Sequence, residues 1–375
     1  MYKNGFKVDQ KYLAGVLSSM QPICSKRTTI ESTTSILFHP GRNELVLKST
    51  DLEISLQYSC KIKESNIDED KTFLVSGKRV FDLIKELEGE VEFGVKDQQI
   101  FLNSNGVKLS LNIKDAQEFP PFPERIENLM QIDAKALLGM LEKVSFLIPQ
   151  NNSNPALNGL FLEISDKDLK MTATDGHCLA QAISYDYKLD KPQTWLLPRR
   201  AVFELKKIVE SADDKSIFLG VCGNQLVFSG ESFNFFTKLL VDSFPQYQQI
   251  LNKDGFQKTS ISKPALVKAL RRSVCLLSGK FIATQFNFED TKLNVCLQNK
   301  EVGELEEELA LDEKLKDPLD IRFYAPYLAS GLQVFAKDNI QFYLNGPSQP
   351  ILFEAEENGV SFTYLTMPVS PSANS

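Results

Sequence analysis

Histidine and tryptophan are nearly missing from this 375-residue chain, which has two His (His39 and His177) and one Trp. So small a supply of imidazole leaves few candidates for general acid–base chemistry. The six cysteines, Cys24, Cys60, Cys178, Cys222, Cys275 and Cys296, stand singly, with no C-x-x-C pair and no histidine at ligand spacing. That scatter argues against a zinc site or a disulfide framework and reads each thiol as a small core residue, so neither metal nor cofactor is expected. No apolar run reaches the ~18 residues of a membrane span. The opening MYKNGFKVDQKYLAGV lacks the basic, apolar and small-residue segments of a signal peptide, so a cytoplasmic location is expected. Positive charge is also in deficit: 42 basic against 49 acidic residues give a net charge of -7, ordinarily an argument against nucleic-acid binding.

What the chain does have is repetition. ELVLKSTDLEISL from Glu44 and DLKMTATDGHCLA from Asp168 align their Thr-Asp pairs, Thr50-Asp51 and Thr174-Asp175, at a shift of 124 residues, and the same shift lands on KLNVCLQNKEVGE at Lys292. VSGKRVFDLIKEL from Val75 matches LPRRAVFELKKIV from Leu197, and FPPFPERI at Phe119 is echoed by FPQYQQIL at Phe244. Several matches at nearly one period mark internal duplication. Each unit opens with a helical pattern, from Val8, Ile132 and Ile261; in the second, Leu137, Met140, Leu141, Val144 and Ile148 form one apolar stripe. Asp133 and Ser262 stand at N-cap positions and Pro264 in a first turn. A second helix follows in mid-unit, the third copy being APYLASGLQVFA from Ala325, and alternating runs such as QLVFSG and IQFYLNG read as strands. The expected unit is helix, strands, helix, strands. The fold class is therefore α+β, in three domains spanning 1–127, 128–255 and 256–375.

The stretch LKMTATDGHCLAQAI places Asp175, Gly176, His177 and Cys178 in a row. Asp-Gly between alternating runs predicts a hairpin with a type I′ turn, with positive φ at both central residues. His177 and Cys178 then point to opposite faces, out of reach of each other as base and nucleophile. His177 either caps the turn or lines a surface groove.

Charge is sorted by element. The six helical segments together carry about +12, leaving about -19 elsewhere. Lys268, Arg271 and Arg272 share one helical face opposite Leu266, Leu270, Val274 and Leu277, and Arg199, Arg200, Lys206 and Lys207 cluster in the second unit. A basic face recurring in every repeat points to one shared anionic partner.

TDLE at Thr50, ATDGH-x-LA at Ala173, LNG at Leu157, PRR at Pro198, the run from Lys238 to Tyr247 and YLTMPV at Tyr364 resemble bacterial sliding clamps, the β subunits of the replicative DNA polymerase. The resemblance spans essentially the whole chain. It implies three DNA-clamp domains, each of two helices packed on antiparallel sheets, forming half of a closed six-domain ring. That ring is a head-to-tail homodimer around double-stranded DNA, held without base contacts. Twelve lining helices at roughly 8 to 10 Å spacing close a circle about 30 to 38 Å across, and removing roughly 5 Å of helix radius on each side leaves a hole that passes a duplex. The implied protein is a non-catalytic processivity factor that tethers the polymerase, the clamp loader and repair proteins through short linear motifs.

For the DNA-facing surface the resemblance and the charge pattern nominate Arg27, Lys78, Arg79, Gln150, Asn151, Arg199, Arg200, Lys268, Arg271 and Arg272. A peptide groove between the second and third domains is implied at Leu157, Thr174, Gly176, His177, Leu179, Pro245, Ile250, Pro350, Leu365, Met367, Pro368 and Val369. Leu109, Leu111, Leu276 and Leu277 are implied for the dimer interface. The chain departs from the family at Cys178 and Gln249, where arginine is usual, in SGKFIATQF from Ser278, which lacks the usual Arg-Gly, and in the tail MPVSPSANS. Two other readings compete. An enzyme would need a constellation of acid, base and nucleophile, and none recurs in the repeats; the acidic run from Glu304 reads as a solvated surface. An interaction scaffold that never encircles DNA would share the fold but not the topology of binding.

Overall fold

The computed structural model describes residues 2, 4–24, 28–67, 71–277 and 282–369. Arg27 and the tail beyond Val369 lie outside the described residues. Six α-helices are present among those described: α1 Gln10–Cys24, α2 Gly77–Ile84, α3 Ala134–Ser145, α4 Arg199–Ala212, α5 Lys263–Cys275 and α6 Ala325–Leu332. Their apolar stripes set their orientation. In α3, Leu137, Met140, Leu141 and Val144 are all at most 1% exposed. The expected caps are in place: the amide of Ala136 donates to Asp133 Oδ1 at 2.9 Å and that of Ala265 to Ser262 Oγ at 3.5 Å.

The helices begin later than periodicity predicts. Val8, Ile132 and Ile261 belong to the strands Gly5–Asp9, Glu127–Asp133 and Gln257–Ser262, so the unit is strand, helix, strands, helix, strands. Each of these residues is β-branched and buried, and its backbone pairs with a neighbouring strand, as Val8 does with Val91 and Ile132 with Ile217. An apolar residue just before an N-cap fits either element, and sheet pairing decides it.

The chain forms two compact units, one of Met1–Leu138 with Arg200–Leu239, the other of Gly139–Arg199 with Leu240–Ser375. The first is built on one 13-stranded sheet and the second on sheets of eight and four strands. The middle repeat thus gives one half to each unit, and each unit contains a seam where strands of successive repeats pair. In the first unit Ile54–Lys61 lies antiparallel to Phe233–Lys238, with Ile54 opposite Thr237 and Tyr58 opposite Phe233. In the second, Cys178–Ser184 lies antiparallel to Val360–Thr366, with Cys178 opposite Thr366. The same extra bond ends both seams: Lys238 N donates to Glu53 O and Met367 N to His177 O, each at 2.9 Å.

A third pair of counterpart strands is left without this partnership. Among the described residues, Gly303–Ala310 pairs on one side only, with Lys292–Asn299. Val107–Asp115 pairs with Gln99–Ser104, and only its last residues, Ile113 to Asp115, reach a second neighbour. Its segment 107–112 is an open edge, carrying the half-exposed Leu109 and Leu111.

Two ion pairs are largely buried among the described residues. Asp51 is fully covered and meets the guanidinium of Arg200 in the first unit. In the second, Lys143 and Glu357 are 2.6 Å apart, each side chain 11% exposed.

Candidate functional site

The two Thr-Asp corners share one hydrogen-bond template. Thr174 Oγ1 donates to Cys178 O at 2.6 Å and accepts from Gly176 N at 3.1 Å, while Asp175 Oδ1 accepts from the amides of His177 (2.8 Å) and Cys178 (2.7 Å). In the first repeat Thr50 Oγ1 likewise donates to Ile54 O and accepts from Leu52 N, and Asp51 Oδ1 accepts from Glu53 N and Ile54 N. This corrects the expected type I′ turn. Positive φ occurs at Gly176 (+96°) and not at Asp175, because the carboxylate holds the loop by binding two amides at once, an Asx-type turn. Where the second repeat has glycine the first has Leu52, at φ +76°, a conformation that costs a branched residue about 1–2 kcal/mol.

His177 is exposed and Cys178 is 1% exposed, so the two side chains do point apart. Burial pushes the Cys178 thiol up to about 12, which keeps it protonated at neutral pH and unfit as a nucleophile. Its sulfur lies 3.6 Å from Thr366 Oγ1.

Around this corner the second unit gathers the nominated groove residues. Leu157 closes a 3-10 turn, Pro155–Leu157, and its Cδ1 lies 3.8 Å from where a Cβ on Gly176 would stand. Leu179 and Leu365 face each other across the seam and form a buried cluster with Tyr247 and Leu352, against which Phe161, Phe244, Leu251, Phe256 and Tyr343 pack. Pro245 and Ile250 are exposed on the same Phe-Pro segment, Met367 is 36% exposed, and Pro368 and Val369 are half-buried. Pro350 is buried and leads into the strand Ile351–Glu357, whose Ile351 lies opposite Thr366. Leu157, Leu179 and Leu365 are therefore buried, while Thr174, Gly176, His177, Pro245, Ile250 and Met367 reach the surface.

Sequence reading missed residues around this corner. Tyr247 donates to Glu163 and accepts from Gln181 Nε2 at 3.0 Å, and Gln181 also donates to Thr172 at 3.0 Å. Burial, and then the adjacent Glu163 carboxylate, raises the Tyr247 phenol, so it stays a proton donor and pins the segment 244–251 to the sheet. Tyr327 is the second omission: its ring stacks on His177 at 5.5 Å and 18°, and Tyr324 meets Tyr327 edge-on at 5.0 Å. His177 is thus the outer rung of an aromatic ladder. Recurrence of Phe-Pro-x-Phe/Tyr in two repeats was the available signal for Tyr247; nothing in the sequence marked Tyr327.

The nominated cations fall into two groups. Lys78, Arg79, Lys268 and Arg271 are exposed helix residues, and Gln150 and Asn151 are exposed loop residues. Three arginines are engaged: Arg199 Nε donates to Ile148 O at 3.0 Å, Arg200 holds Asp51 and Pro22 O, and Arg272 meets Glu307. Leu276 and Leu277, just past α5, are half-buried. Their counterparts in the other repeats are covered: Ile23 is 0%, Cys24 4%, Leu147 8% and Ile148 3% exposed.

No helix among the described residues is long and apolar enough to cross a membrane, and no cluster there could hold a metal ion. Three family descriptions match in order: DNA polymerase III beta subunit, N-terminal domain over 5–123, central domain over 131–246 and C-terminal domain over 248–370. The beta sliding clamp of Pseudomonas putida is 25% identical over 369 residues, covering 97% of this chain and 99% of its own. That of Staphylococcus epidermidis is 24% identical, covering 97% and 98%. Among solved structures, the DNA polymerase III subunit beta of Pseudomonas aeruginosa superposes with a TM-score of 0.88 at 22% identity, covering 98% and 100% of the two chains. The sliding clamp of Bacillus subtilis gives 0.87 at 21%, covering 98% and 99%.

Proposed function

Because this chain belongs to the DNA polymerase III beta subunit family, we propose that its sliding-clamp function is carried out by two copies closed head to tail around duplex DNA. In this reading each copy contributes three domains, 1–127, 128–255 and 256–375. One observation carries the reading: two seams of the same construction lie inside the chain, and the counterpart strands for a third are present with their edges open. An open edge is a template for another chain. Two copies joined head to tail use both open edges of each and leave none.

The internal seams also supply a register. Transferring the pairing of Ile54 with Thr237 sets Gly303 opposite Leu111 of the other copy, Leu305 opposite Leu109 and Glu306 opposite Lys108. Leu305 then faces Leu109, and Glu306 meets Lys108. Exposed Lys78, Arg79, Lys268 and Arg271 supply mobile phosphate contacts inside the ring, with Gln150, Asn151 and Arg27 added. Arg199 adds positive field from a fixed position, whereas Arg200 and Arg272 are largely neutralised by Asp51 and Glu307. The net negative remainder discourages DNA from binding outside.

In this reading the surface around Thr174, Gly176, His177, Pro245, Ile250 and Met367 receives short linear motifs of the polymerase, the clamp loader and repair proteins. Its apolar floor and adaptable Met367 suit varied peptides. The test is topological. Loaded protein is expected to stay on nicked circular DNA and to be lost within minutes once the circle is cut; equal retention on linear and circular DNA would leave only the scaffold reading. Deleting Met367–Ser375 should abolish binding of polymerase-derived peptides while retention on circles persists.

A further inference from the structure

We propose that the outer sheet face of the first repeat carries a second docking pocket, which receives an aromatic side chain flanked by carboxylates on a partner protein. The pocket is a cavity of about 390 Å³ lined by Leu37, His39, Val46, Lys48, Gln57 and Thr72. Its floor is apolar, from Leu37 and Val46. The rows of the sheet place Leu37, Lys48 and Gln57 side by side and His39 next to Val46.

The internal repeat shows what this place is shaped for. By the same pairings, Leu37, His39, Lys48 and Gln57 correspond to Phe161, Glu163, Thr172 and Gln181 in the second repeat. There the position is full: Phe161 stacks on Phe244 at 4.8 Å and 10°, and the Tyr247 hydroxyl bridges Glu163 and Gln181. In the first repeat Phe122 takes the place of Tyr247, packing edge-on against Phe236 at 5.5 Å, and it has no hydroxyl to reach Gln57 or His39. Leu37 is smaller than Phe161, and Phe119, the counterpart of Phe244, has no aromatic partner among the described residues. One ring of the second repeat's stack is therefore missing from the first, and the space it would fill is open.

Charge selects among aromatic ligands. Where the second repeat has Glu163 and Lys170 beside the stack, the first has His39 and Val46, and Lys48 replaces Thr172. The Lys48 ammonium lies 4.9 Å from the Phe122 ring, at the wall of the cavity. A ring entering beside it finds a cation and no carboxylate among the lining residues, so acidic neighbours on the ligand are favoured and basic ones opposed. In the sibling repeat the occupying ring arrives on a chain segment, which is why a peptide is the occupant inferred.

The probes are the capped tripeptides Asp-Phe-Asp, Asp-Ala-Asp and Lys-Phe-Lys, titrated at millimolar concentration against the full-length protein with ¹³C-labelled Leu and Val methyls. Asp-Phe-Asp is expected to shift the Leu37 and Val46 methyl signals saturably, and the other two to bind at least about tenfold more weakly. Leu37→Phe rebuilds the second repeat's stack from within and should abolish binding, read at Val46. Lys48→Glu should invert the preference toward Lys-Phe-Lys. Shifts of equal size for all three peptides, unaltered binding in Leu37→Phe, or no saturable shift with any peptide would each overturn the proposal, and none of these results bears on retention on circular DNA.

Discussion

Leu276→Asp combined with Leu277→Asp is expected to turn a dimer into a monomer at micromolar concentration, measured by gel filtration with light scattering. The expectation rests on a comparison inside the chain. At the two internal seams the corresponding residues, Ile23 with Cys24 and Leu147 with Ile148, are between 0% and 8% exposed. Leu276 and Leu277 are only half-buried, and the proposed third seam is expected to cover them. Unpaired carboxylates placed there cost several kcal/mol each, and a head-to-tail dimer pays twice because it has two identical seams. A shift of that size separates nanomolar from millimolar association. The register is tested separately. Glu306→Lys should weaken the dimer and raise its sensitivity to salt, and adding Lys108→Glu to the same chain should restore it, since each seam then recovers an opposite pair. A persisting dimer in the leucine variant, or no recovery in the charge exchange, would show that the dimer does not form through this surface.

The second large effect is on folding. Lys143 in α3 and Glu357 in the strand Ile351–Glu357 form an ion pair 2.6 Å long with both side chains 11% exposed. Glu357 also accepts from Ala336 N at 3.0 Å, and the Lys143 ammonium sits 5.1 Å from the Phe362 ring. Lys143→Met leaves a buried carboxylate without its cation, and the expected loss is about 3–5 kcal/mol in urea denaturation. Lys143→Met with Glu357→Leu should recover most of it, because removing both charges also removes their desolvation cost. The pair has a pH signature. Burial pushes the Glu357 carboxyl up, but Lys143 and the amide of Ala336 outweigh it and hold the group below the ordinary glutamate range. A carboxyl depressed in the fold adds stability above its unfolded value, about 4.3, and that stability is lost as pH falls through the folded value. Wild type should therefore lose stability more steeply below that point than the double variant. Equal stability of Lys143→Met and wild type would mean that water reaches the carboxylate freely.

How much of this was legible depended on whether a signal was local. The duplication was legible because Thr-Asp, Val-Phe-acid-Leu and Phe-Pro recur at nearly one spacing, and the helices because their apolar stripes keep the helical period. The opening strand of each unit was not: Val8, Ile132 and Ile261 continue the helical stripe, and only pairing with strands tens of residues away assigns them. The corner at Asp175 was placed correctly but given the wrong turn, since dipeptide statistics do not record a carboxylate that binds two amides. Among the nominated groove residues, Leu157, Thr174, Gly176, His177, Leu179, Leu365 and Met367 come together. Tyr327 reaches His177 from a helix whose sequence reads as an ordinary amphipathic segment. Arg199 and Arg200 show the limit of counting charge, because a guanidinium already bound to a carbonyl or a carboxylate looks the same in sequence as a free one.

The corner that occurs twice with one set of hydrogen bonds shows how a duplicated scaffold diverges. Threonine and aspartate carry the architecture, so the two positions that follow them are released from structural duty and free to differ. One copy drifted toward a bare, glycine-lined ledge beside Leu157; its sibling accepted Leu52 at a conformational penalty. Specialisation after duplication here required no new backbone. It needed only that one inherited bend hold glycine where the other holds leucine.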